Sequence, residues 1–394
     1  MNASRRCLAS AIAALVLLPS SASAEILAMM NYETKSADSL KVLKSPISPP
    51  ARKEGLAIVN VDPASTDFGK IVTDIPLPPD LVAHHIFYNK DQSKAYITAL
   101  GKAELRVIDM KRKPYALKTI PLPDCQVGED VIFSPDNTRW FVTCMGSQTV
   151  VFGDAVTDKP TRTVNLPGIW PHGIAIHEEI DRILVTSTLR PSDMGDPGDS
   201  IAVIKASTGE VLGHHRVTAK PAPAGVAPVE TLFVPGANPP VAYVTNMFGA
   251  TLAAAVWDAK AQDFKVHEIV DFAKLETGVP LEIYFNPKGD RLYVTTGKPG
   301  HMHVFDIDKD PLKPVLLKSL PAAEGAHHVA FTKDWRYAFV QNTLLNLPGL
   351  SDGSVTVIDL QSEQVVGSMD TLKNSGYNPN SIVLLPQWND LAGH

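Results

Sequence analysis

Short runs of alternating apolar and polar residues recur along this chain, separated by turns rich in Pro, Asp, Gly and Asn. Alternation at every second position is typical of β-strands, and apolar residues at helical spacing are scarce. Each repeat opens on polar residues, continues through an apolar strand and a turn, and reaches a second strand that often ends in Tyr-Val-Thr. Six copies contain both strands: 83–98, 128–143, 171–186, 228–245, 280–295 and 326–341.

A seventh copy, at 378–387, contains the first strand only. Strand-like runs at the other end of the chain, 25–30, 55–62 and 69–76, can supply its missing partners. Repeats spaced by about 43–57 residues suit four-stranded blades. We therefore predict an all-β fold, a seven-bladed β-propeller of four-stranded blades, closed by N- and C-terminal strands that share one blade.

Residues 1–24 precede the repeats and have the layout of a secretory signal peptide. Arg5 and Arg6 form a basic start, an apolar stretch follows at 8–19, and small residues at 22–24 provide a cleavage site. Export by the general secretory route or by the twin-arginine route stays open. We expect the remainder, 25–394, to be a single propeller domain that is periplasmic or secreted.

Charge and cysteine content narrow the range of partners. Without Arg5 and Arg6, 34 basic residues face 42 acidic ones, a net charge near −8 that disfavours nucleic acid as a partner. Outside the signal segment, no stretch has the apolar length of a membrane span. Cys125 and Cys144 either form one disulfide in an oxidising compartment or remain separate.

Two adjacent positions at the start of each first strand carry the candidate chemistry. The innermost strand of each propeller blade lines the central channel, so equivalent positions of successive blades converge on one axis. The first positions hold His84, Glu129, His172, Val229, Leu281, His327 and Asn380. The second positions hold His85, Asp130, Gly173, Glu230, Glu282, His328 and Ser381.

Several imidazoles and carboxylates that converge on one axis indicate a metal centre. Imidazole binds copper, zinc and iron, and neighbouring carboxylates can orient the imidazoles or act as acid and base. We predict the metal ligands to be His84, His85, His172, His327 and His328. The predicted catalytic carboxylates are Glu129, Asp130, Glu230 and Glu282. At least three of the imidazoles should have ring nitrogens within about 4–5 Å of one another; the alternative is that the histidines only pack the turns.

Residues 55–85, GLAIVNVDPASTDFGKIVTDIPLPPDLVAHH, resemble the start of the selenium-binding protein/methanethiol oxidase family, within the YVTN-repeat (YncE-like) seven-bladed propellers. The likeness continues in the same order at 182–191, 229–252 and 353–360. Only His84 and His85 match the family's metal motif residue by residue. The second blade has Glu129 and Asp130 where the family has a histidine, so His172, His327 and His328 would have to supply replacement ligands.

The resemblance implies a periplasmic oxidoreductase that uses copper and acts on a small sulfur- or nitrogen-containing compound. A methanethiol oxidase-like enzyme would convert a thiol to aldehyde, sulfide and peroxide. Copper is the expected cofactor, with another transition metal as the alternative. The expected partner is a small-molecule substrate in the axial channel, and a periplasmic electron-transfer or other protein partner remains an option.

Two other functions use the same repeat. A non-catalytic YncE-like binding or metal-handling propeller would have the same architecture without turnover. A lactonase-like hydrolase is suggested by the resemblance of residues 280–295 to that group. Hydrolysis of that kind requires an arginine beside the axial histidine and glutamate, and no strand-start position offers one.

Overall fold

The computed structural model describes residues 25–48, 51–218 and 227–391. Its strands form seven four-stranded antiparallel sheets arranged in a ring, which confirms the predicted β-propeller. The predicted signal segment, 1–24, lies outside the described residues. Within the described ranges, no helix has the length and apolar character needed to cross a bilayer.

The chain begins with the second, third and fourth strands of one blade, counted from the axis, and then builds the other six blades in order. Its first strands are β1 (Leu27–Thr34), β2 (Glu54–Asn60) and β3 (Ile71–Leu77), with helix α1 (Ala37–Val42) between β1 and β2. Blade 1 contains β4 (Ala83–Tyr88), β5 (Lys94–Ala99), β6 (Glu104–Asp109) and β7 (Leu117–Pro121). Blade 2 contains β8 (Gly128–Phe133), β9 (Arg139–Cys144), β10 (Thr149–Asp154) and β11 (Lys159–Asn165). Blade 3 contains β12 (Pro171–His177), β13 (Arg182–Ser187), β14 (Ser200–Lys205) and β15 (Val211–Arg216).

The second half of the chain repeats this plan. Blade 4 contains β16 (Pro228–Phe233), β17 (Val241–Asn246), β18 (Thr251–Asp258) and β19 (Asp263–Asp271). A 3-10 turn (Phe272–Leu275) leads to blade 5, with β20 (Gly278–Phe285), β21 (Arg291–Lys298), β22 (Gly300–Asp306) and β23 (Val315–Pro321). Blade 6 contains β24 (Ala326–Phe331), β25 (Tyr337–Asn342), β26 (Val355–Asp359) and β27 (Gln364–Met369). After helix α2 (Thr371–Asn374), the final strand β28 (Tyr377–Leu384) joins β1, β2 and β3 in blade 7.

Blade 7 closes the ring in the predicted way. Strand β28 pairs antiparallel with β1, in a register that places Met30 opposite Ile382 and Ala28 opposite Leu384. The first strand of every blade contacts the first strands of the blades on either side, and β28 contacts both β24 and β4. The innermost strands therefore form a continuous wall around the axis, and the inner edge of each blade is short and protected by the neighbouring blades.

Burial falls from the axis to the rim, as expected for stacked sheets. Strands β4, β8 and β24 are buried along their whole length, whereas most residues of β3 and β11 are exposed. Aromatic side chains fill the space between blades 1 and 2, where Trp140 is fully buried beside Tyr96 and Phe133. These side chains supply much of the apolar burial that holds neighbouring blades together.

A β-bulge begins the first strand of each of blades 1–6. The register breaks lie between Ala83/Ile86, Gly128/Val131, Pro171/Ile174, Pro228/Thr231, Pro280/Ile283 and Ala326/Val329. The two residues inside each break are the first and second positions identified from the sequence. A bulge re-aims side chains locally, and here it turns two consecutive side chains toward the axis.

The threonine of the Tyr-Val-Thr pattern supports this bulge. Its hydroxyl accepts a hydrogen bond from the amide of the second position, as Thr98 does from His85 (3.0 Å) and Thr143 from Asp130 (3.0 Å). In blade 4, Thr245 also donates to the carbonyl oxygen of Leu281 in the next blade (2.6 Å). Thr143 and Thr245 each bond to two consecutive strand starts, and they thereby hold neighbouring blades at a fixed spacing near the axis.

Candidate metal centre at the propeller axis

The axial residues form two layers. Six of the seven first positions line a common cavity, and the second positions lie one layer deeper. The two layers are in direct contact, because the rings of His84 and His85 stack with centroids 3.8 Å apart. The centroids of His327 and His328 are 4.2 Å apart. All five histidines are buried, with no more than 8% of each residue exposed.

One group of potential ligands, the outer triad, consists of His84, Glu129 and His172. One nitrogen or oxygen atom from each residue lies within 4.8 Å of the other two. Glu129 Oε2 is 3.0 Å from His84 Nε2 and 3.7 Å from His172 Nε2. Blades 1, 2 and 3 each contribute one member, so only the tertiary structure brings these residues together.

A second group, the inner triad, consists of His85, His327 and His328. Their ligand atoms also lie within 4.8 Å of one another. The ring centroids of His85 and His328 are 4.4 Å apart, and those of His85 and His327 are 5.9 Å apart. The predicted convergence of at least three imidazoles is therefore confirmed, while their role as metal ligands stays a prediction.

Buried carboxylates surround both triads. The Nδ1 atom of His85 lies 2.9 Å from Asp130 Oδ1, and Glu282 Oε1 lies 3.1 Å from His327 Nε2. Asp130 and Glu230 also form a third potential ligand group with the outer-triad histidine of blade 3. A carboxylate beside an imidazole fixes its orientation and raises its basicity. All nine predicted site residues thus lie in one cluster, but the catalytic role of the carboxylates remains a prediction.

Burial changes the protonation of the outer triad. It lowers the pKa of His84 to about 3, with a further contribution from nearby His327. It also raises the pKa of Glu129 to about 8, and the neighbouring Asp130 carboxylate adds to that increase. The pKa of Glu230 is raised well above its ordinary value, first by burial and then by Asp130 and Glu282. Without metal at pH 7, His84 is therefore neutral and Glu129 carries a proton.

The donor set fits a transition-metal ion. Nδ1 of His84 and Nδ1 of His172 are buried, and neither has a hydrogen-bond partner among the described residues. An unpaired buried polar atom costs on the order of 1–3 kcal/mol, which an ion could offset by binding to it. Bonds of about 2.0–2.1 Å place two donors up to about 4 Å apart, so each triad would have to contract by about 1 Å or less. Because the two triads share no residue, they could hold two ions together.

An axial cavity of about 300 Å³ lies above the outer triad. Its floor is formed by first-position residues, which include His84, Glu129, His172 and His327, and its walls are apolar. The wall residues are Leu100, Val127, Met145, Leu189, Pro191, Met194, Met247, Leu344, Leu345 and Leu347. The sequence pattern did not predict these walls. The feature that could have indicated them is the unusual length of two connections between strands, 188–199 and 343–354.

A disulfide lies beside this site. Cys125 and Cys144 are bridged, with their Cα atoms 5.0 Å apart, which settles the choice that the sequence left open. The bridge connects the segment before β8 to the end of β9, so it fixes the strand start that carries Glu129 and Asp130. The next residue, Met145, is part of the cavity wall.

Comparisons with known proteins identify the fold. No family model and no curated protein matches the sequence. A solved hypothetical selenium-binding protein from Sulfolobus tokodaii has a TM-score of 0.72 at 12% identity, over 93% of this chain and 95% of the other. A functionally unknown protein from Desulfotomaculum acetoxidans has a TM-score of 0.64 at 16% identity, over 91% and 98% of the two chains.

A more distant similarity is to hydrazine synthase from Kuenenia stuttgartiensis, with a TM-score of 0.56 at 16% identity. That match covers 78% of this chain and 91% of the other. At identities this low, the similarities establish a shared fold, because one propeller fold can carry many unrelated sites.

Proposed function

We propose that this chain is a periplasmic, copper-dependent oxidoreductase that acts on a small sulfur- or nitrogen-containing compound, in the manner of the selenium-binding protein/methanethiol oxidase family. The observation that carries this proposal is the convergence of five buried imidazoles from three blades beneath one cavity. The resemblance of residues 55–85 to that family and the similarity to a hypothetical selenium-binding protein also support it.

The reaction expected for a primary thiol is balanced with dioxygen as the oxidant. One thiol, one dioxygen and one water give one aldehyde, one hydrogen sulfide and one hydrogen peroxide. Two electrons leave the carbon that bears the sulfur, and both reduce dioxygen to peroxide. Copper held by the triads would supply the redox chemistry between the two reactants.

The chain's own residues would bind the metal and handle the protons. Imidazoles of the outer and inner triads would hold copper, and Asp130 and Glu282 would keep His85 and His327 in fixed orientations. Glu129 forms part of the cavity floor beside His84. A cation bound at the outer triad would lower the pKa of this carboxyl group, which would then lose its own proton and could accept one from the sulfur of the substrate.

Metal content and peroxide production test this proposal together. Protein purified from the periplasm should contain copper, and after copper loading it should retain one to two equivalents, as measured by mass spectrometry of the metal. A double variant, His84→Ala with His85→Ala, should lose copper and peroxide production with methanethiol. The matched control is His214→Ala on the outer strand of blade 3, where the side chain is exposed and copper content should not change.

The two measurements separate the alternatives. Copper well below one equivalent after loading would contradict the metal centre itself. Copper retained without thiol-dependent peroxide would contradict the enzyme and favour a metal-handling propeller.

A further inference from the structure

Most of the side chains that line the axial cavity are apolar, which is more than the binding of a small polar molecule would require. Its polar residues lie mainly on the floor, where His84, Glu129 and His172 form the outer triad, and Thr188 adds a hydroxyl group. Among the residues that the structure describes, no lysine, arginine or aspartate lines it. A ligand that fills this space therefore meets metal-binding groups at one end and apolar side chains elsewhere.

Two long connections build much of the wall. Residues 188–199 between β13 and β14 contribute Leu189, Pro191 and Met194, and residues 343–354 between β25 and β26 contribute three leucines. The corresponding connections in blades 1, 2 and 4 are short turns at 100–103, 145–148 and 247–250. Both extended connections thus place apolar side chains over the same floor.

The volume is large for a one-carbon substrate. An apolar cavity of roughly 150 Å³ is sufficient to bind benzene, and the axial cavity measures about 300 Å³. A group of about six carbons would fit, with space left for a head group at the floor. Methionines at positions 145, 194 and 247 can adapt to ligands of different shape, because their side chains are unbranched and flexible.

We propose that the axial cavity selects substrates with a substantial apolar tail, so that the substrate is a hydrophobic thiol whose sulfur faces the outer triad. The identity of the head group rests on the proposed function, whereas selection of the tail rests on the cavity walls. Thiols with a charged tail, such as cysteine, are excluded, because the wall residues in the described part of the chain are apolar and offer no partner to a buried charge.

A series of straight-chain thiols tests this selection. Copper-free protein is titrated under nitrogen with methanethiol, propanethiol, butanethiol and hexanethiol, and binding is measured by calorimetry. Affinity should rise about fourfold with each methylene, the factor that corresponds to burial of one methylene group. Cysteine should show no measurable binding.

A cavity-filling variant provides the matched comparison. Leu344→Trp, on the half-buried connection of blade 6, should weaken hexanethiol binding at least tenfold and methanethiol binding by a clearly smaller factor, because the added ring occupies space that only the longer tail needs. The control is Phe248→Trp, since Phe248 is 47% exposed and does not line the cavity. Thermal unfolding should confirm that both variants fold.

The outcomes distinguish this inference from the proposed function. Equal affinity for all chain lengths, or measurable binding of cysteine, would overturn the selection of apolar tails whether or not the copper-loaded protein oxidises thiols. Affinity that rises with chain length and is lost in Leu344→Trp would uphold it. If no thiol is then oxidised, the proposed function alone fails.

Discussion

Glu129 contacts both histidines of the outer triad, so its protonation couples the metal-free site to pH. Its pKa is raised to about 8, mainly by burial. Between the ordinary carboxyl pKa and pH 8, the folded chain binds a proton at this residue and the unfolded chain does not. The stability that this proton contributes is complete at low pH and is lost as the pH rises toward 8.

A Glu129→Gln variant tests this coupling, because glutamine keeps the shape of the protonated acid and cannot ionise. We expect the free energy of unfolding of the metal-free wild type to fall relative to that of the variant between pH 5 and pH 8. Guanidinium unfolding at several pH values measures the difference. A difference that stays constant over this range would contradict the raised pKa, and Glu178→Gln on the surface is the control.

His172 tests the separation of metal binding from folding. Loss of a residue that only hydrogen-bonds to a metal ligand typically lowers metal affinity 10- to 100-fold. We expect His172→Ala to lower copper affinity by more than this, because His172 is a predicted ligand. The midpoint of thermal unfolding should shift by no more than about 2–4 °C, since the blades are held by their own apolar strands. Competition with a copper chelator and thermal unfolding provide the two readouts; a large loss of stability with copper affinity unchanged would indicate a packing role.

At the scale of the element, the bulge at the start of each inner strand explains why a repeat of ordinary strands can present two adjacent side chains to the axis. In a regular strand, successive side chains point to opposite faces of the sheet. The bulge removes this alternation for two residues. One backbone amide in the bulge then has no partner in the pairing of the two strands, and a hydroxyl group from the second strand accepts its hydrogen bond.

Thr245→Val tests that role in blade 4. The hydroxyl of Thr245 accepts from the amide of Glu230 at 3.0 Å and donates to the carbonyl oxygen of Leu281, and both contacts are buried. Valine keeps the shape and removes both bonds, so we expect a loss of about 1–3 kcal/mol in the free energy of unfolding.

The control for this variant is Thr119→Val on the exposed outer strand of blade 1, which should change the free energy of unfolding by less than about 0.5 kcal/mol. Chemical denaturation measures both variants. Equal effects for the buried and the exposed threonine would show that the bulge does not depend on the hydroxyl.

At the scale of the whole molecule, the ring depends on contacts between residues that are far apart in the sequence. Just beyond β1, the buried Lys35 amino group donates hydrogen bonds to the carbonyl oxygens of Ser351 and Asp352, at 2.8 and 3.0 Å, and to Asn378. These partners belong to the long connection of blade 6 and to the closing strand β28. Lys35 therefore connects the N-terminal strand to the last part of the ring.

Lys35→Met should weaken the closure, because methionine keeps much of the side-chain volume and leaves three oxygen atoms, two of them in buried contacts, without this donor. We expect the free energy of unfolding to fall by at least about 2 kcal/mol. Lys41→Met on helix α1 is the matched control, since Lys41 is exposed. If both variants unfold at the same denaturant concentration, Lys35 does not stabilise the closure.

The pattern of residues was sufficient to predict the repeat, the seven blades, their closure by both chain ends, and the two axial positions. Strand alternation and turn chemistry are local properties, and rotation about the axis places equivalent positions of the repeat near one another. For this reason, His84 and His328 could be predicted to lie in one cluster although they are far apart in the chain.

Only the tertiary structure decided which members of that cluster touch. It paired Glu129 with two histidines, raised the pKa of Glu129 by burial, and brought Cys125 within bonding distance of Cys144. It also placed the connections 188–199 and 343–354 over the outer triad as the walls of the axial cavity. These features could not be read from the repeat, because the connections are not periodic and protonation depends on how completely the surrounding chain excludes water.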